Sequence, residues 1–370
     1  MNVLEKLNIG IVGTGRRGGR FKAAIDALHS VRVHAACDVH AEALDQAAIE
    51  LDATEKYLSY EDMLERSELD AVIIATPMHL HAPQAILALQ QDLHVLSEVT
   101  AGVSLDECKR LVQTARTSKG VYMMAENANY MKPNAMVREM VRKGLFGTTY
   151  FGEGEYLHEL KQQNEVTVWR RKWQTGIDGI TYGTHGLGPV LQWMPDDRVV
   201  AVCCAGSGHH YRDPRGDEYA QDTSVMLGKM QKGGLVKVRA DMISDRPSMT
   251  TTYQLQGTDG CYESARARGE KHWIWLRSRC KDAHTWLDLE ELEEEFLPPA
   301  WRQADEAAKK TGHGGSDFFV MREFVDALQQ HRPPEIGVHE AMDMTLPCLI
   351  SQQSIQNDGA WVEVPDSRAW

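Results

Sequence analysis

Asn8-Ile9-Gly10-Ile11-Val12, then Gly13-Thr14-Gly15-Arg16-Arg17-Gly18, then a helical pattern, then Val31-Arg32-Val33-His34-Ala35-Ala36-Cys37-Asp38, is the stretch that decides the fold. An apolar run rich in β-branched residues reads as a buried parallel strand. A G-x-G-x-x-G follows at once and opens a helix. A second apolar strand ends in an acid twenty positions after Gly18. Each part has its own task. Gly13 permits the tight turn, Gly15 lets the backbone approach a pyrophosphate, and Gly18 lets the helix pack against the strand. The helix N-terminus supplies free N–H groups and positive dipole for phosphates. Asp38 is placed to accept hydrogen bonds from ribose hydroxyls and to repel a 2′-phosphate, which reads as NAD. Arg16 and Arg17 pull the other way, because basic side chains could receive a 2′-phosphate. A plain Gly-rich turn would leave Asp38 unexplained.

The chain has 370 residues, which suits two domains rather than one core. A formal net charge of −13 argues against a nucleic-acid partner, which calls for a basic surface. No apolar run approaches a membrane span. Only seven residues precede the first strand, which leaves no room for a signal peptide. The seven cysteines are scattered, odd in number and without a C-x-x-C pair. Neither a zinc site nor a disulfide framework is indicated, no metal is expected, and a reduced cytoplasmic setting fits.

Residues 1–125 alternate strands and helices. Strands are expected at Ala71–Pro77, His94–Glu98 and Val121–Glu126, with helices around His40–Leu51, Gln84–Gln90 and Ser104–Ser118. That is a doubly wound parallel sheet, whose ligands sit beyond the carboxyl ends of its strands. Thr76, His79, His81, Glu98, Glu126 and Asn127 fall on those loops and join the cofactor-side set. For His79 and His81, cofactor lining is favoured over metal, since no acid has ligand spacing with them. Glu98 reads either as a nicotinamide-side group or as a structural carboxylate.

After Glu126 the pattern changes. Thr149–His158, Val199–Cys204, Thr223–Met230, Gly234–Ala240 and Thr250–Gln256 read as strands of a mostly antiparallel sheet in a second domain, 126–370. A helix near 338–355 could pack back on the first domain. The charge-rich stretch 265–312 reads as a solvated surface segment.

The order of these motifs resembles the Gfo/Idh/MocA oxidoreductase family over nearly the whole chain. The likeness rests on the glycine loop, on Ala75-Thr76-Pro77 with His79 and His81, on Glu98, and on Gly183-x-His185. The resemblance implies an N-terminal Rossmann domain and a C-terminal α+β domain with an open sheet that often mediates oligomerisation, here a homo-oligomer such as a dimer or tetramer. It also implies a small-molecule sugar or cyclitol bound above the nicotinamide. Two departures stand out. The family's dehydrogenases usually carry Glu-Lys-Pro where this chain has Glu98-Val99-Thr100, and often an Asp where it has Thr181. The groups that usually serve the oxidation of an alcohol are therefore missing.

Other residues stand there instead: Glu126-Asn127, Tyr156-Leu157-His158, Tyr182-Gly183-Thr184-His185-Gly186-Leu187-Gly188-Pro189 and His313-Gly314-Gly315-Ser316-Asp317. This set looks like the NAD-dependent glycosidase branch, glycoside hydrolase family 109. That likeness implies a tightly bound NAD recycled in each turnover: transient oxidation at C3, elimination across C1–C2, water addition and re-reduction. Such a route needs no carboxylate pair flanking the glycosidic bond. Glu126, Tyr156, His158, Tyr182 and His185 carry over as site candidates, with Tyr156 or His158 as the C2 base and His185 with Tyr182 at the C3 hydroxyl. Tyr156 and His158, two apart on a strand, share a face. Tyr182 and His185, three apart at a helix start, do the same. Tyr262 is a doubtful further site tyrosine. Trp169 and Arg170 lie in an aromatic and basic cluster that either binds a sugar or forms a surface loop. His313 either meets substrate or belongs to a helix start at Asp317. The competing functions are a conventional sugar or cyclitol dehydrogenase with another base and a non-enzymatic NAD-binding scaffold.

Overall fold

The computed structural model describes residues 6–247 and 250–370. The chain forms two compact units. The first contains the residues up to Tyr130, then Gln303–Met342 and Ser367–Trp370, and the second contains Met131–Arg302 and Asp343–Asp366. The division is thus discontinuous, where the sequence suggested a single cut after residue 125.

In the first unit six strands lie in one sheet: β1 Leu7–Val12, β2 Val31–Cys37, β3 Glu55–Tyr57, β4 Ala71–Ile74, β5 His94–Ser97 and β6 Tyr122–Met124. Their order is β3-β2-β1-β4-β5-β6, and every pairing is parallel. This is the dinucleotide-binding order, with the chain reversing direction across the sheet between β1 and β4. Burial follows from the apolar runs. Ile9, Ile11 and all four residues of β4 are fully enclosed, as strands covered on both faces must be. The helix Arg16–Leu28 opens straight from the glycine loop, and Leu105–Thr117 is capped by Ser104, whose hydroxyl accepts from Glu107 N–H. The expected strand and helix positions hold to within a few residues. The short edge strand β3 has no apolar run to announce it.

The second unit holds a nine-stranded sheet: β7 Thr149–Leu157, β8 Val199–Gly206, β9 Thr223–Met230, β10 Leu235–Asp241, β11 Thr250–Gly257, β12 Gly260–Glu263, β13 Trp273–Leu276, β14 Leu287–Asp288 and β15 Val362–Glu363. All pairings are antiparallel except β7 with β10. The stretch 265–312 is thus not all solvated surface. It carries β13 and β14, and it buries Ile274, Leu289, Phe296 and Trp301.

Strand β7 alternates sharply. Gly152, Gly154, Tyr156 and His158 share one side, while Glu153 and Glu155 face the other. The helix Thr184–Trp193 lies on the glycine side. A Cβ on Gly154 would come 1.8 Å from the Gly186 carbonyl oxygen, and one on Gly152 would come 2.3 Å from Val190 Cγ1. Trp193, fully buried at the end of this helix, packs edge-on against Tyr253 and Tyr262. The helix contains Pro189, which cannot donate to the carbonyl of His185 four residues earlier. Tyr253 takes that carbonyl instead, its hydroxyl donating at 2.6 Å.

Gly154→Ala places a methyl group inside backbone. It should destabilise the second unit by at least about 2 kcal/mol, as overpacking of a tight core does. Urea denaturation should show a lower midpoint, and an unchanged midpoint would contradict the packing described.

Candidate active site

The glycine loop behaves as its spacing demands. Gly13 has φ +82°, a left-handed value that disfavours a side chain, and its Cβ would strike Ala75 and Thr76 backbone at 2.7 Å. A Cβ on Gly18 would meet the Gly13 carbonyl at 2.1 Å. Gly15 differs: a Cβ there would meet nothing within 4 Å. Two glycines therefore allow close packing, and the third borders open space where backbone can be approached. Asp38 directly follows β2 and accepts from Thr14 N–H at 3.0 Å, Thr14 Oγ1 at 3.3 Å and His40 N–H at 3.1 Å. Its carboxylate is thereby fixed beside the loop. These residues fit a dinucleotide.

The two arginines separate. Arg16 is exposed at the first position of the helix. Arg17 turns inward, with Nε donating to Glu98 Oε1 at 2.6 Å and its two terminal nitrogens donating to Asp317 at 2.7 and 3.0 Å. Its cation also lies 4.6 Å from the Phe21 ring centroid. Burial alone would lower the Arg17 pKa, but Glu98 and Asp317 outweigh it and hold the guanidinium charged. Arg17 is thus committed to two carboxylates and is not a receiver for a 2′-phosphate. Glu98 is held in turn as its partner. His313 Nδ1 lies 3.0 Å from Asp317 Oδ1 and 3.4 Å from Arg17 Nη1. Residues 313–315 all have positive φ, from 55° at His313 to 95° at Gly315. A Cβ on Gly315 would meet the Lys309 carbonyl at 2.7 Å. The two glycines let the chain coil back so that His313 and Asp317 face one another at the start of Ser316–Gln329.

Other cofactor-side candidates differ in their exposure. Thr76 is half-buried and donates to Gln84 Oε1 at 2.6 Å, and His79 lies in the single turn Met78–Leu80. His81 departs from the expected cofactor lining. It is buried, its Nδ1 is 2.9 Å from the Thr100 carbonyl and its Nε2 is 2.8 Å from the Thr76 carbonyl. Burial pushes its pKa down despite those carbonyls and Glu98. It ties two loops together rather than lining a ligand surface. Glu126 is fully buried, with Oε1 accepting from Ala128 N–H at 3.1 Å, and Asn127 is buried beside it. Asn129, which the sequence did not single out, is 1% exposed, and neither polar atom of its side chain has a hydrogen-bond partner among the described residues.

In the second unit four predicted residues come together. The Tyr156 hydroxyl lies 2.9 Å from His158 Nδ1. The Tyr156 ring is 5.4 Å from Tyr182 and 5.2 Å from His185, and Tyr182 is 5.1 Å from His185, centroid to centroid. Strand period and helix period meet here. The glycines of β7 admit the helix, and just beyond them the strand presents its first two large side chains. Leu160 and Met242 pack behind Tyr156. Such a cluster offers a phenol in contact with an imidazole and a second phenol–imidazole pair against it, which are the groups needed for proton transfer.

Tyr262 does not belong to it. Its side chain is wholly enclosed, its hydroxyl is 2.8 Å from His272 Nδ1, and burial pushes its pKa well up. With its ring enclosed and its hydroxyl bonded to His272, it presents no group to a substrate. Trp169 and Arg170 stand on a short helix, Val168–Trp173, not on a loop. Among the described residues no group of three or more metal-ligating side chains is placed to hold an ion. No helix there is long and apolar enough to cross a membrane.

Comparison with known proteins follows the same division. The sequence profile described as "Oxidoreductase family, NAD-binding Rossmann fold" matches residues 7–126, and that of "Glycosyl hydrolase 109, C-terminal domain" matches residues 215–369. A protein of Saccharopolyspora erythraea named glycosyl hydrolase family 109 protein is 31% identical, over 98% of this chain and 83% of its own length. One from Shewanella pealeana with the same name is also 31% identical, over 98% and 86%. Among solved structures, levoglucosan dehydrogenase in complex with NADH and levoglucosan superposes with a TM-score of 0.83 at 19% identity, covering 98% of this chain and all of that one. That likeness concerns the fold.

Burial alone would raise the Asp317 pKa, but the His313 hydrogen bond and the Arg17 charge hold it well below the ordinary carboxylate range. A depressed carboxylate stabilises the fold above its unfolded pKa of about 4 and loses that contribution as pH falls. Asp317→Asn should therefore cost on the order of 3 kcal/mol at neutral pH. The gap in melting temperature between the two proteins should narrow on acidification below pH about 4. A gap that widens in acid would refute the ion cluster's role.

Proposed function

The chain belongs to the glycosyl hydrolase 109 family, and from that premise we propose that this enzyme cleaves a glycoside through a redox-neutral, NAD-dependent route. Family membership and the NAD-binding Rossmann domain support an NAD-dependent glycosidase or sugar oxidoreductase acting on a small-molecule sugar. The observation that carries the finer reading is the joined set Tyr156, His158, Tyr182 and His185, where the usual Lys after Glu98 is absent.

The glycine loop, Asp38, Thr76, His79, Glu126 and Asn127 are the groups we assign to holding NAD, tightly enough for it to stay bound between turnovers, with Glu98 acting through Arg17. When bound, NAD supplies a reversible two-electron acceptor for C3 of the sugar. Everything else falls to side chains. His185 with Tyr182 takes the proton from the C3 hydroxyl and later returns it. A ketone at C3 acidifies the C2 proton. With Nδ1 unprotonated, His158 accepts the Tyr156 hydroxyl proton at 2.9 Å, which turns the phenol oxygen into a base for C2. The aglycone then leaves from C1 by elimination, and water adds in its place. Trp169 and Arg170 are assigned to the sugar.

Homo-oligomerisation is proposed through the second sheet. Its even face on β10, Val236, Val238 and Ala240, is buried under helix, while Leu235, Leu227 and Val225 on the other face are only half-buried and Phe151 opens onto a surface cleft. A second copy of this chain would cover that face. Light scattering is expected to give at least twice the chain mass, and a single-chain mass at micromolar concentration would remove the proposal.

The test of the reaction is a panel of aryl α- and β-glycosides followed for aglycone and NADH together. Aglycone release without accumulating NADH, with solvent deuterium entering C2, is expected. Tyr156→Phe should lower kcat at least a hundredfold with a smaller change in sugar binding, in keeping with loss of a general base. NADH accumulating with no aglycone would make the enzyme a dehydrogenase instead.

A further inference from the structure

The helix Val168–Trp173 carries three cationic side chains in a row, and they are treated differently. Arg171 is spent: Nε donates to Asp213 Oδ2 at 3.0 Å and Nη2 to the Glu218 carbonyl at 2.7 Å. Lys172 lies over the Trp173 ring, 4.9 Å from its centroid. Arg170 has no carboxylate partner among the described residues. Its cation rests 4.5 Å from the Trp169 centroid, and Nη1 donates to Gln174 Oε1 at 2.8 Å. Its Nε is buried without an acceptor.

That one hydrogen bond fixes the amide of Gln174. A guanidinium only donates, so Oε1 must face it and Nε2 must point away. Gln174 is 1% exposed, and this Nε2 has no acceptor among the described residues either. Its backbone carbonyl accepts from Thr181 Oγ1 at 2.6 Å, directly before Tyr182 in the chain. One bonded pair thus holds an uncompensated positive charge and two buried donors without acceptors. Each unmade bond leaves a buried donor stripped of water with nothing in return. A neutral hydroxyl would relieve one donor and leave the charge. A carboxylate, which only accepts and is negative, satisfies all three conditions at once.

We propose that Arg170 and Gln174 form a carboxylate subsite, so that the sugar this enzyme takes is a uronic acid or its glycoside. The proposal rests on the reading of the Tyr182 cluster as the sugar site. Trp169, stacked on Arg170, gives the site a reporter.

The experiment is a titration of the NAD-supplemented protein with glucuronate against glucose, and galacturonate against galactose, read by tryptophan fluorescence and by calorimetry. At least one uronate should bind ten times more tightly than its neutral parent. Arg170→Gln should bring that ratio to within twofold. Gln174→Leu should reduce it by at least threefold while circular dichroism stays unchanged, which separates lost recognition from lost folding. Equal binding within both pairs, no binding of either uronate, or a preference that survives Arg170→Gln would overturn the subsite. Binding is read without turnover, so the two readings fail separately. A uronate preference with NADH accumulating from aryl uronides removes the glycosidase and leaves the subsite. Aglycone release from neutral glycosides without uronate binding does the reverse.

Discussion

The contact between Gly154 and Gly186 is the constraint from which the second unit's chemistry follows. Backbone meets backbone there, with no room for a methyl group. Because the helix can come that close, side chains one step further along each element are forced together. On the strand those are Tyr156 and His158, and at the helix start they are Tyr182 and His185. No long polar network is needed to gather the rings of His158, Tyr182 and His185 within 5.8 Å of Tyr156, centroid to centroid. Pro189 and Tyr253 complete the arrangement. The proline frees the His185 carbonyl, and the tyrosine hydroxyl secures it, so the residue most exposed to helix distortion is fixed from behind.

The first unit is built on a different principle, charge rather than close approach. Arg17 leaves the cofactor loop and is gripped by Glu98 and Asp317, which come from two other parts of the chain. The carboxylate of Asp317 is wholly buried and meets both Arg17 and His313. Breaking a buried pair is far more costly than the pair's net contribution to stability, so the cluster acts as a lock on loop geometry. It also sorts two neighbouring arginines into separate roles: Arg16 outside, Arg17 inside.

Much of this was legible in the sequence because it follows from local rules. Alternating apolar runs gave the strands, and the G-x-G-x-x-G with its trailing acid gave the first sheet's ligand side. The resemblance to the glycosidase branch singled out the four rings, and the two-residue and three-residue spacings put each pair on one face. What was not legible depends on long-range contacts. Strands β3 and β14 are too short for a pattern. Tyr262 looks like a site tyrosine until Trp193 and His272 are seen to enclose it. His81 carries a ligand's chemistry but has both nitrogens against backbone carbonyls. Gln174 offers no signal at all: its importance lies in which way its amide is forced to turn by an arginine four residues away.

The discontinuity of the first unit bears on how the protein is made. The helix Ser316–Gln329, with Asp317 at its start, belongs to the unit whose sheet ends at Met124. A ribosome has therefore emitted every strand of that sheet long before the carboxylate that grips Arg17 exists. Through most of translation the nascent cofactor half carries a buried-to-be arginine with only Glu98 to meet it. Its maturation is deferred until the whole of the second sheet but its last short strand has been synthesised, which couples the ripening of one half to the completion of the other.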